Sequence, residues 1–479
     1  MSFLSFPFAI FAGLGLLAFY FGPKGWRVGT LLALSYGFYL TWSVFYGAML
    51  LLVTLGVYAA GRGIEAAGGE GRKRGLMILS VSLLVLLLLG FKSAGWIARE
   101  FFARADGFNP AGAILLPLGL SYYIFKMVGY LLDVYWEAMP AQRSFAAVAL
   151  YGAFFPQIVS GPIERAENFF TQLQRLDAPD SEAFLIGLRR ILFGLFKKIA
   201  IADTLAVVVQ NAHAHPASFS PLELVVAAYC FAIELYMDFS GITDIAIGLG
   251  LLFGIRGPEN FDLPYFTPNI QLFWRRLHMS LTSWLRDYLF TPLRMSLRRW
   301  GTAGLCLAIF INTTAIGLWH GLTWTFLIFG AMHGVFVIVS VLTMKQRNAF
   351  FQGRPPLAQM RGFVAPVIVF HLVVFSLIFF RADSFSSAAQ YVAGLVPGRS
   401  GVSAWRFDTE MLGLPGRDLA WCAFGYLLCE AVTWAGKKPF WQRVFFRAPA
   451  LLRRAVYTAL IISVLLLFKG GLAFIYAQF

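Results

Sequence analysis

Charged side chains are scarce in this sequence, because Asp, Glu, Lys and Arg make up only 13% of its 479 residues. An average soluble protein has roughly 25%. Hydrophobic residues make up 59% of the chain, and the mean hydropathy is +0.70. This composition excludes an ordinary soluble domain. Apolar runs that approach or exceed the roughly 17–20 residues of a bilayer-spanning helix lie at 75–91, 301–318, 322–342 and 457–468.

Sequence motifs of several large enzyme classes are also missing. The chain contains no Walker phosphate loop, no G-x-S-x-G nucleophile elbow and no H-E-x-x-H zinc pair. Cysteine is rare, and the four cysteines, at 230, 306, 422 and 429, lie in apolar segments without the spacing of metal ligands. We therefore expect them to be packing residues, and we expect neither a metal site nor a bound cofactor.

Positive charge is abundant by comparison, with a formal net charge of +15. The lysines and arginines are confined to short clusters between apolar runs, such as 72–74, 298–299 and 453–454. Clusters of this kind are typical of cytoplasmic loops and of contact with anionic lipid headgroups. The charge therefore predicts membrane lipid as the partner and gives no support for nucleic acid.

The whole pattern predicts an all-α polytopic membrane protein with about ten to twelve transmembrane helices. Prolines inside or beside apolar runs predict that several segments are kinked, broken or re-entrant. Irregular backbone at membrane depth is tolerated where it is buried in protein or lines a wet cavity. We therefore expect a funnel in the middle of the protein. The prolines are Pro117, Pro156, Pro162, Pro264, Pro268 and Pro292.

The densest polar signal is QLFWRRLHMSLTSWLRDYLF at 271–290. On a helical wheel, Trp274, His278 and the neighbouring apolar residues share one arc, whereas Arg275, Arg276 and Arg286 lie opposite. This pattern predicts one amphipathic helix at the cytoplasmic interface, with its basic face toward headgroups or solvent. His278 then faces the protein interior.

Two further histidines, His320 and His333, lie in the nearly uncharged stretch GLWHGLTWTFLIFGAMHG at 317–334. Imidazole is suited to general acid–base catalysis near neutral pH, and burial away from anions favours the neutral form that a base needs. The alternative is a structural histidine that hydrogen-bonds a broken helix. Both interpretations remain open for His320, His333 and His278.

Carboxylates in membrane segments are candidate functional residues, because placing them there is costly. Glu234, Asp238 and Asp244 lie in AIELYMDFSGITDIAIGLG at 232–250. The stretch 238–241 also resembles the end of one helix and the capped start of the next, so Asp238 and Asp244 are alternatively helix caps. His213 and His215 are predicted to be exposed loop residues, and His371 to pack in the core or to line the cavity.

Seven blocks of sequence follow one another at 114–135, 154–169, 196–206, 236–254, 259–290, 317–334 and 379–385. In this order they resemble the membrane-bound O-acyltransferase superfamily, and within it the bacterial branch of alginate O-acetylation. The resemblance covers most of the chain and is weakest in the first 110 and last 90 residues. It implies a single membrane domain over 1–479, with N-terminal helices at 1–110, a catalytic core at 111–390 and C-terminal helices at 391–479.

The resemblance implies an enzyme of the bacterial cytoplasmic membrane that passes an acyl group, usually acetyl from acetyl-CoA, through a central tunnel toward an extracytoplasmic polysaccharide. Its catalytic histidine maps onto His320, and a second conserved position onto His278. A periplasmic partner of the SGNH-hydrolase type is expected, and Arg275, Arg276 and Arg286 are candidates for the phosphates of coenzyme A or for lipid headgroups. Residues expected to support the site or line the tunnel are His333, Trp274, Trp319, Asp238, Ser240 and Asp244.

Three alternatives remain open. A carrier-protein donor, such as a D-alanyl carrier protein for teichoic acid esterification, fits the same family. A channel or acyl-group transporter would use the histidines only to line its pore. A lipid-modifying acyltransferase would accept a longer acyl chain and would need a lateral opening to the bilayer.

Overall fold

The computed structural model describes residues 1, 3–102, 117–398 and 403–468. These residues form helices joined by short connections, and they contain no β-strand. An isolated antiparallel β-bridge joins Phe261 to Leu277. The prediction of an all-α protein is therefore confirmed. The proposed division of the chain at 110 and 390 stays a prediction.

Two compact units account for the described chain. The first comprises residues up to 191 together with 243–259, and the second comprises 192–242 and residues from 260 onward. The chain passes from one unit to the other within the helices Ser181–Phe196 and Pro221–Leu252 and after residue 259. The helices from the start of the chain to α11 are α1 Phe6–Phe21, α2 Arg27–Leu40, α3 Val44–Glu65, α4 Glu70–Phe102, α5 Leu120–Tyr135, α6 Phe145–Ala153, α7 Phe155–Ile158, α8 Ala166–Gln174, α9 Ser181–Phe196, α10 Asp203–Ala214 and α11 Pro221–Leu252.

The remaining helices belong to the second unit. Two π-helical turns also occur in this unit, at Lys197–Ala202 and Arg286–Phe290. The helices are α12 Ile270–Arg276, α13 Met279–Leu285, α14 Thr291–Ser296, α15 Gly301–His320, α16 Trp324–Leu342, α17 Met344–Phe351, α18 Pro355–Arg381, α19 Phe385–Gly394, α20 Gly416–Ala435, α21 Pro439–Arg447 and α22 Ala450–Leu467.

Six helices in the described part of the chain are long and apolar enough to cross a membrane. Their hydropathy and length establish a multi-pass membrane protein. Many of the other helices are shorter, and several breaks separate them. The six candidate spans are Val44–Glu65, Glu70–Ala94, Arg298–His320, Trp324–Leu342, Pro355–Arg381 and Ala450–Leu467.

Within the first unit, Arg190 joins α9 to α11 and to the segment after it. Its Nε donates to Asp244 Oδ1 over 2.9 Å, and its two terminal nitrogens donate to the carboxylate of Glu259. The backbones of α9 and α11 approach closely here, because a Cβ added to Gly187 would lie 2.9 Å from the carbonyl oxygen of Gly248. Asp244 therefore links α11 to α9 through its ion pair with Arg190.

Within the second unit, α15 and α16 form a tightly packed hairpin. A Cβ on Gly317 would lie 2.2 Å from the carbonyl oxygen of Phe326, and a Cβ on Gly330 would lie 2.7 Å from that of Thr313. Only glycine fits such backbone approaches, which are common between membrane helices. The close approach fixes the C-terminal end of α15, where His320 lies.

Candidate functional site

His278 occupies a break between two short helices. Helix α12 ends at Arg276, Leu277 is extended, and α13 begins at Met279. His278 itself has φ 48° and ψ 53°, the left-handed conformation that few residues other than glycine adopt. The prediction of one continuous amphipathic helix over 271–290 is therefore wrong. A π-helical turn over Arg286–Phe290 follows α13.

The ring of His278 is buried among aromatic side chains. The side chain is on the protein-facing side, as the sequence predicts, and the residue is 2% exposed. Its ring centroid lies 4.6 Å from that of Phe239 and 5.4 Å from that of Trp319. Burial lowers the pKa of His278 to about 3, because the aromatic surroundings disfavour the charged form. The imidazole is therefore neutral at physiological pH.

His320 is the last residue of α15 and is 5% exposed. Its ring centroid lies 4.7 Å from Trp319, 4.8 Å from Phe380 and 5.9 Å from Phe326. Trp319 therefore contacts both His278 and His320, and the structure brings the two predicted catalytic histidines to one tryptophan. We call His278 and His320 the "histidine pair".

His333 has hydrogen-bond partners of its own, Trp274 and Ser376. The Nε1–H of Trp274 donates to His333 Nδ1 over 3.2 Å, and His333 Nε2 lies 2.9 Å from Ser376 Oγ. Since Nδ1 accepts, the ring proton lies on Nε2 and is donated to Ser376. The name "His333 pocket" is used below for His333, Trp274 and Ser376. The pocket explains Trp274 and His333 as structural partners.

Asp238 is not a helix cap, because α11 runs without a break from Pro221 to Leu252. Its carboxylate accepts a hydrogen bond from Lys198 Nζ over 2.5 Å, and the same ammonium lies 2.8 Å from Asp203 Oδ1. Lys198 and Asp238 are both buried, so each charge is balanced by an opposite charge in contact with it. The cap interpretation also fails for Asp244, which pairs with Arg190. Ser240 is buried on the same helix.

The predicted donor-binding arginines lie on or near the surface. Arg275 and Arg286 are exposed, and Arg276 is half-buried. Arg286 pairs with its neighbour Asp287 over 2.8 Å, and Arg276 lies 3.9 Å from Asp262. The geometry leaves Arg275 accessible to an anionic ligand.

Two of the three other histidines differ from their predictions. His213 belongs to α10, is half-buried, and has its Nδ1 3.0 Å from the carbonyl oxygen of Val209. His215 is exposed, as predicted. His371 is exposed, with Nε2 2.7 Å from the hydroxyl of Tyr229, so the prediction of core packing is wrong.

Sequence reasoning missed three residues that the structure places at the site or next to it. Lys198 pairs with Asp238, Ser376 binds His333, and Asn260 binds the start of α13. Lys198 carried a usable signal, because a lysine in an apolar run needs an anionic partner. The partners of Asn260 and Ser376 lie far away in sequence or on another helix, so their roles could not be recognised from local patterns.

The histidine pair has the chemistry of a general acid–base site. Two buried imidazoles and an indole lie among apolar rings, where hydrogen bonds to a reacting carbonyl or hydroxyl are stronger than in water. The described residues contain no group of three His, Cys, Asp or Glu side chains that could hold a metal ion. Buried neutral imidazoles can accept or donate a proton and can polarise a carbonyl group.

Comparison with known proteins gives one family. The model of the membrane-bound O-acyltransferase family matches residues 137–380. The probable alginate O-acetylase AlgI of Pseudomonas putida is 34% identical over 388 residues, which are 80% of this chain and 76% of that protein. The peptidoglycan O-acetyltransferase of Helicobacter pylori is 29% identical over 81% of this chain and 76% of its own length. The teichoic acid D-alanyltransferase of Bacillus subtilis is 28% identical over 64% and 78%.

Proposed function

This chain belongs to the membrane-bound O-acyltransferase family and is a multi-pass membrane O-acyltransferase, and from this premise we propose that it moves an acetyl group from acetyl-CoA toward an extracytoplasmic polysaccharide. The relatives with the higher identities are named for O-acetylation of alginate, and another is named for O-acetylation of peptidoglycan. The bacterial inner membrane is the location that such a transfer requires. The predicted SGNH-type periplasmic protein completes the transfer onto the polysaccharide.

The histidine pair around Trp319 is the observation that carries the proposal. His320 takes the proton of the acceptor hydroxyl while the hydroxyl oxygen attacks the thioester carbonyl carbon. The bond between that carbon and sulfur breaks, and the proton on His320 passes to the departing coenzyme A thiolate. His278, neutral because of its burial, orients His320 or donates a hydrogen bond to the carbonyl oxygen as negative charge develops there.

The proposed binding site for the acyl donor is based on positively charged side chains. Exposed Arg275 and Arg286 and half-buried Arg276 supply guanidinium groups that suit the phosphates of coenzyme A. Acetyl-CoA is a substrate in this proposal, and no bound cofactor takes part. Lipid headgroups compete for the same arginines, since they carry the same phosphate chemistry.

A second candidate is D-alanyl transfer from a carrier protein to teichoic acid. The similarity to the Bacillus subtilis teichoic acid D-alanyltransferase, which covers 78% of that protein, supports it. The same histidines would perform the same proton transfers on a carrier-bound thioester. The two candidates use different donors as well as different acyl groups and acceptors, so supplying each donor separately distinguishes them.

The experiment is thioester cleavage by the purified protein in nanodiscs, with acetyl-CoA as donor and a periplasmic SGNH-type protein as acceptor. We expect the His320→Ala variant to lose at least about a hundredfold in rate, the size of a lost acid–base group. The control is His371→Ala, which removes an exposed histidine from α18, and it should cleave at the wild-type rate. If His320→Ala cleaves as fast as the control, the assignment of His320 is wrong.

Cleavage of an aminoacyl carrier protein in place of acetyl-CoA would support the second candidate. If the protein cleaves neither donor but moves an intact donor across a sealed vesicle, it acts as a channel and the catalytic proposal is wrong.

A further inference from the structure

The left-handed backbone conformation of His278 requires stabilising contacts from the surrounding residues. His278 follows the extended residue Leu277 and precedes the helical residue Met279. A left-handed residue that is not glycine is unfavourable for the isolated chain. Such a conformation persists only where surrounding contacts determine it. The contacts that could do so come from 260–262, a segment that precedes α12.

This segment pairs with both sides of the break. The N–H of Asp262 donates to the carbonyl oxygen of Arg276 over 2.9 Å, and the N–H of Met279 donates to the carbonyl oxygen of Asn260 over 2.9 Å. The β-bridge between Phe261 and Leu277 lies between these two bonds. Residues 276–279 are therefore held by hydrogen bonds on each side of His278.

The side chain of Asn260 adds a helix cap. His278 is the N-cap residue of α13: its carbonyl oxygen accepts from the N–H of Thr282 over 3.0 Å, but its ring makes no cap hydrogen bond. The first turn of a helix leaves N–H groups that need acceptors. Asn260 Oδ1 accepts from the N–H of Ser280 over 3.1 Å and from Ser280 Oγ over 2.9 Å. Asn260 thus does what an N-cap side chain ordinarily does.

We propose that Asn260 is a positioning residue: by capping α13 in place of His278, it holds the left-handed backbone there and leaves the imidazole directed at Trp319. Asn260 is fully buried, so water does not compete for its amide oxygen. The proposal deepens the proposed function and rests on a catalytic role of the histidine pair. Asn260 need not touch the substrate.

The test measures kcat and KM for thioester cleavage in nanodiscs. Asn260→Ala removes the acceptor of two hydrogen bonds and leaves the buried N–H of Ser280 without it, so we expect kcat to fall by about ten- to a hundredfold. The KM for the donor should change by less than about twofold, since Asn260 is not proposed to bind the donor. The matched control is Asn269→Ala, which removes the N-cap of α12, the helix that ends just before His278. Asn269 Oδ1 accepts from the N–H of Leu272 over 2.8 Å.

A double variant separates positioning from general stability. In a His278→Gly background no imidazole remains to be directed, and glycine adopts the left-handed conformation freely. Adding Asn260→Ala to that background should therefore cost less than about twofold. An equal loss of kcat in the wild-type and His278→Gly backgrounds would overturn the proposal, and so would equal losses from Asn260→Ala and Asn269→Ala.

A structural readout keeps this test independent of the proposed function. In a cryo-EM structure of the Asn260→Ala variant we expect residue 278 to leave the left-handed region and its ring to move away from Trp319. If the conformation of His278 is unchanged, Asn260 does not position it.

Where Asn260→Ala does not fold, Ser280→Ala removes only the hydroxyl bond, and kcat should fall by about three- to tenfold. Wild-type kcat in that variant would count against the proposal. Failure of the wild-type protein to cleave either thioester contradicts only the proposed function.

Discussion

The His333 pocket and the histidine pair use the same buried side chain in opposite ways. His333 lies within a regular helix, and both of its ring nitrogens are hydrogen-bonded to side chains of the pocket. His278 lies at a helix break with a left-handed backbone, and its ring lies against those of Phe239 and Trp319. Burial alone therefore does not distinguish His333 from His278, for which we propose a catalytic role. Backbone strain and the surroundings of the ring separate the two cases.

The largest expected effect tests His278. His278→Ala should lower kcat for thioester cleavage by about 10²–10³, the size of a lost hydrogen bond to a developing oxyanion. His278→Asn should lose only about tenfold, because asparagine tolerates a left-handed backbone and keeps an N–H donor. Both variants are assayed in nanodiscs beside His371→Ala. Wild-type rates in both variants would mean that His278 has no catalytic role and does not differ from His333 in function.

Substitution in the His333 pocket should cost stability with little effect on activity. His333→Leu leaves the Trp274 Nε1–H without its acceptor, so we expect the free energy of unfolding to fall by about 2–3 kcal/mol. The kcat of the folded fraction should stay within about twofold of wild type. Unfolding in detergent with increasing denaturant measures the first quantity, and cleavage per folded molecule measures the second. A loss of kcat as large as that of His278→Ala would place His333 in the catalytic site.

The pH dependence of stability provides a smaller test. The folded pKa of His278 is about 3, whereas that of an unfolded histidine is about 6.5. Below pH 6.5 the unfolded chain binds a proton that the folded protein does not, so folding stability falls as the pH is lowered toward 3. Between pH 7 and pH 5 this linkage amounts to about 2 kcal/mol. We expect the wild-type protein to lose that much more stability than His278→Asn over this range, measured by denaturant unfolding. Equal losses would mean that the ring is already charged or solvated.

Local patterns predicted some of the long apolar helices and the burial of His278. The run at 322–342 contains the helix Trp324–Leu342, and the wheel placed His278 on the protein-facing side. These features depend on hydrophobicity and periodicity along a single segment. Residues near in sequence were therefore sufficient to infer them.

Features set by distant residues could not be inferred in this way. The break at His278 coincides with hydrogen bonds that Asn260 accepts from Met279 and Ser280, whereas the wheel assumes an unbroken helix. Asp238 looked like a helix cap because its partner Lys198 lies in another segment. In both cases tertiary contacts replaced the local preference, and a single sequence does not reveal which residues meet.

The smallest change that we expect is a loss of stability on substitution of Ser376 in the His333 pocket. Ser376 Oγ accepts the His333 Nε2–H over 2.9 Å and donates to the carbonyl oxygen of Val373 over 2.7 Å. Ser376→Ala removes one acceptor from a ring that keeps Trp274, so the free energy of unfolding should fall by about 1 kcal/mol. The control is Ser463→Ala, whose hydroxyl likewise donates within its own helix, to the carbonyl oxygen of Ala459; it should cost less, because no histidine depends on it. If the two variants are equally stable and equally active, the hydrogen bond to Ser376 does not hold His333, and the contrast with His278 then rests on Trp274 and the backbone alone.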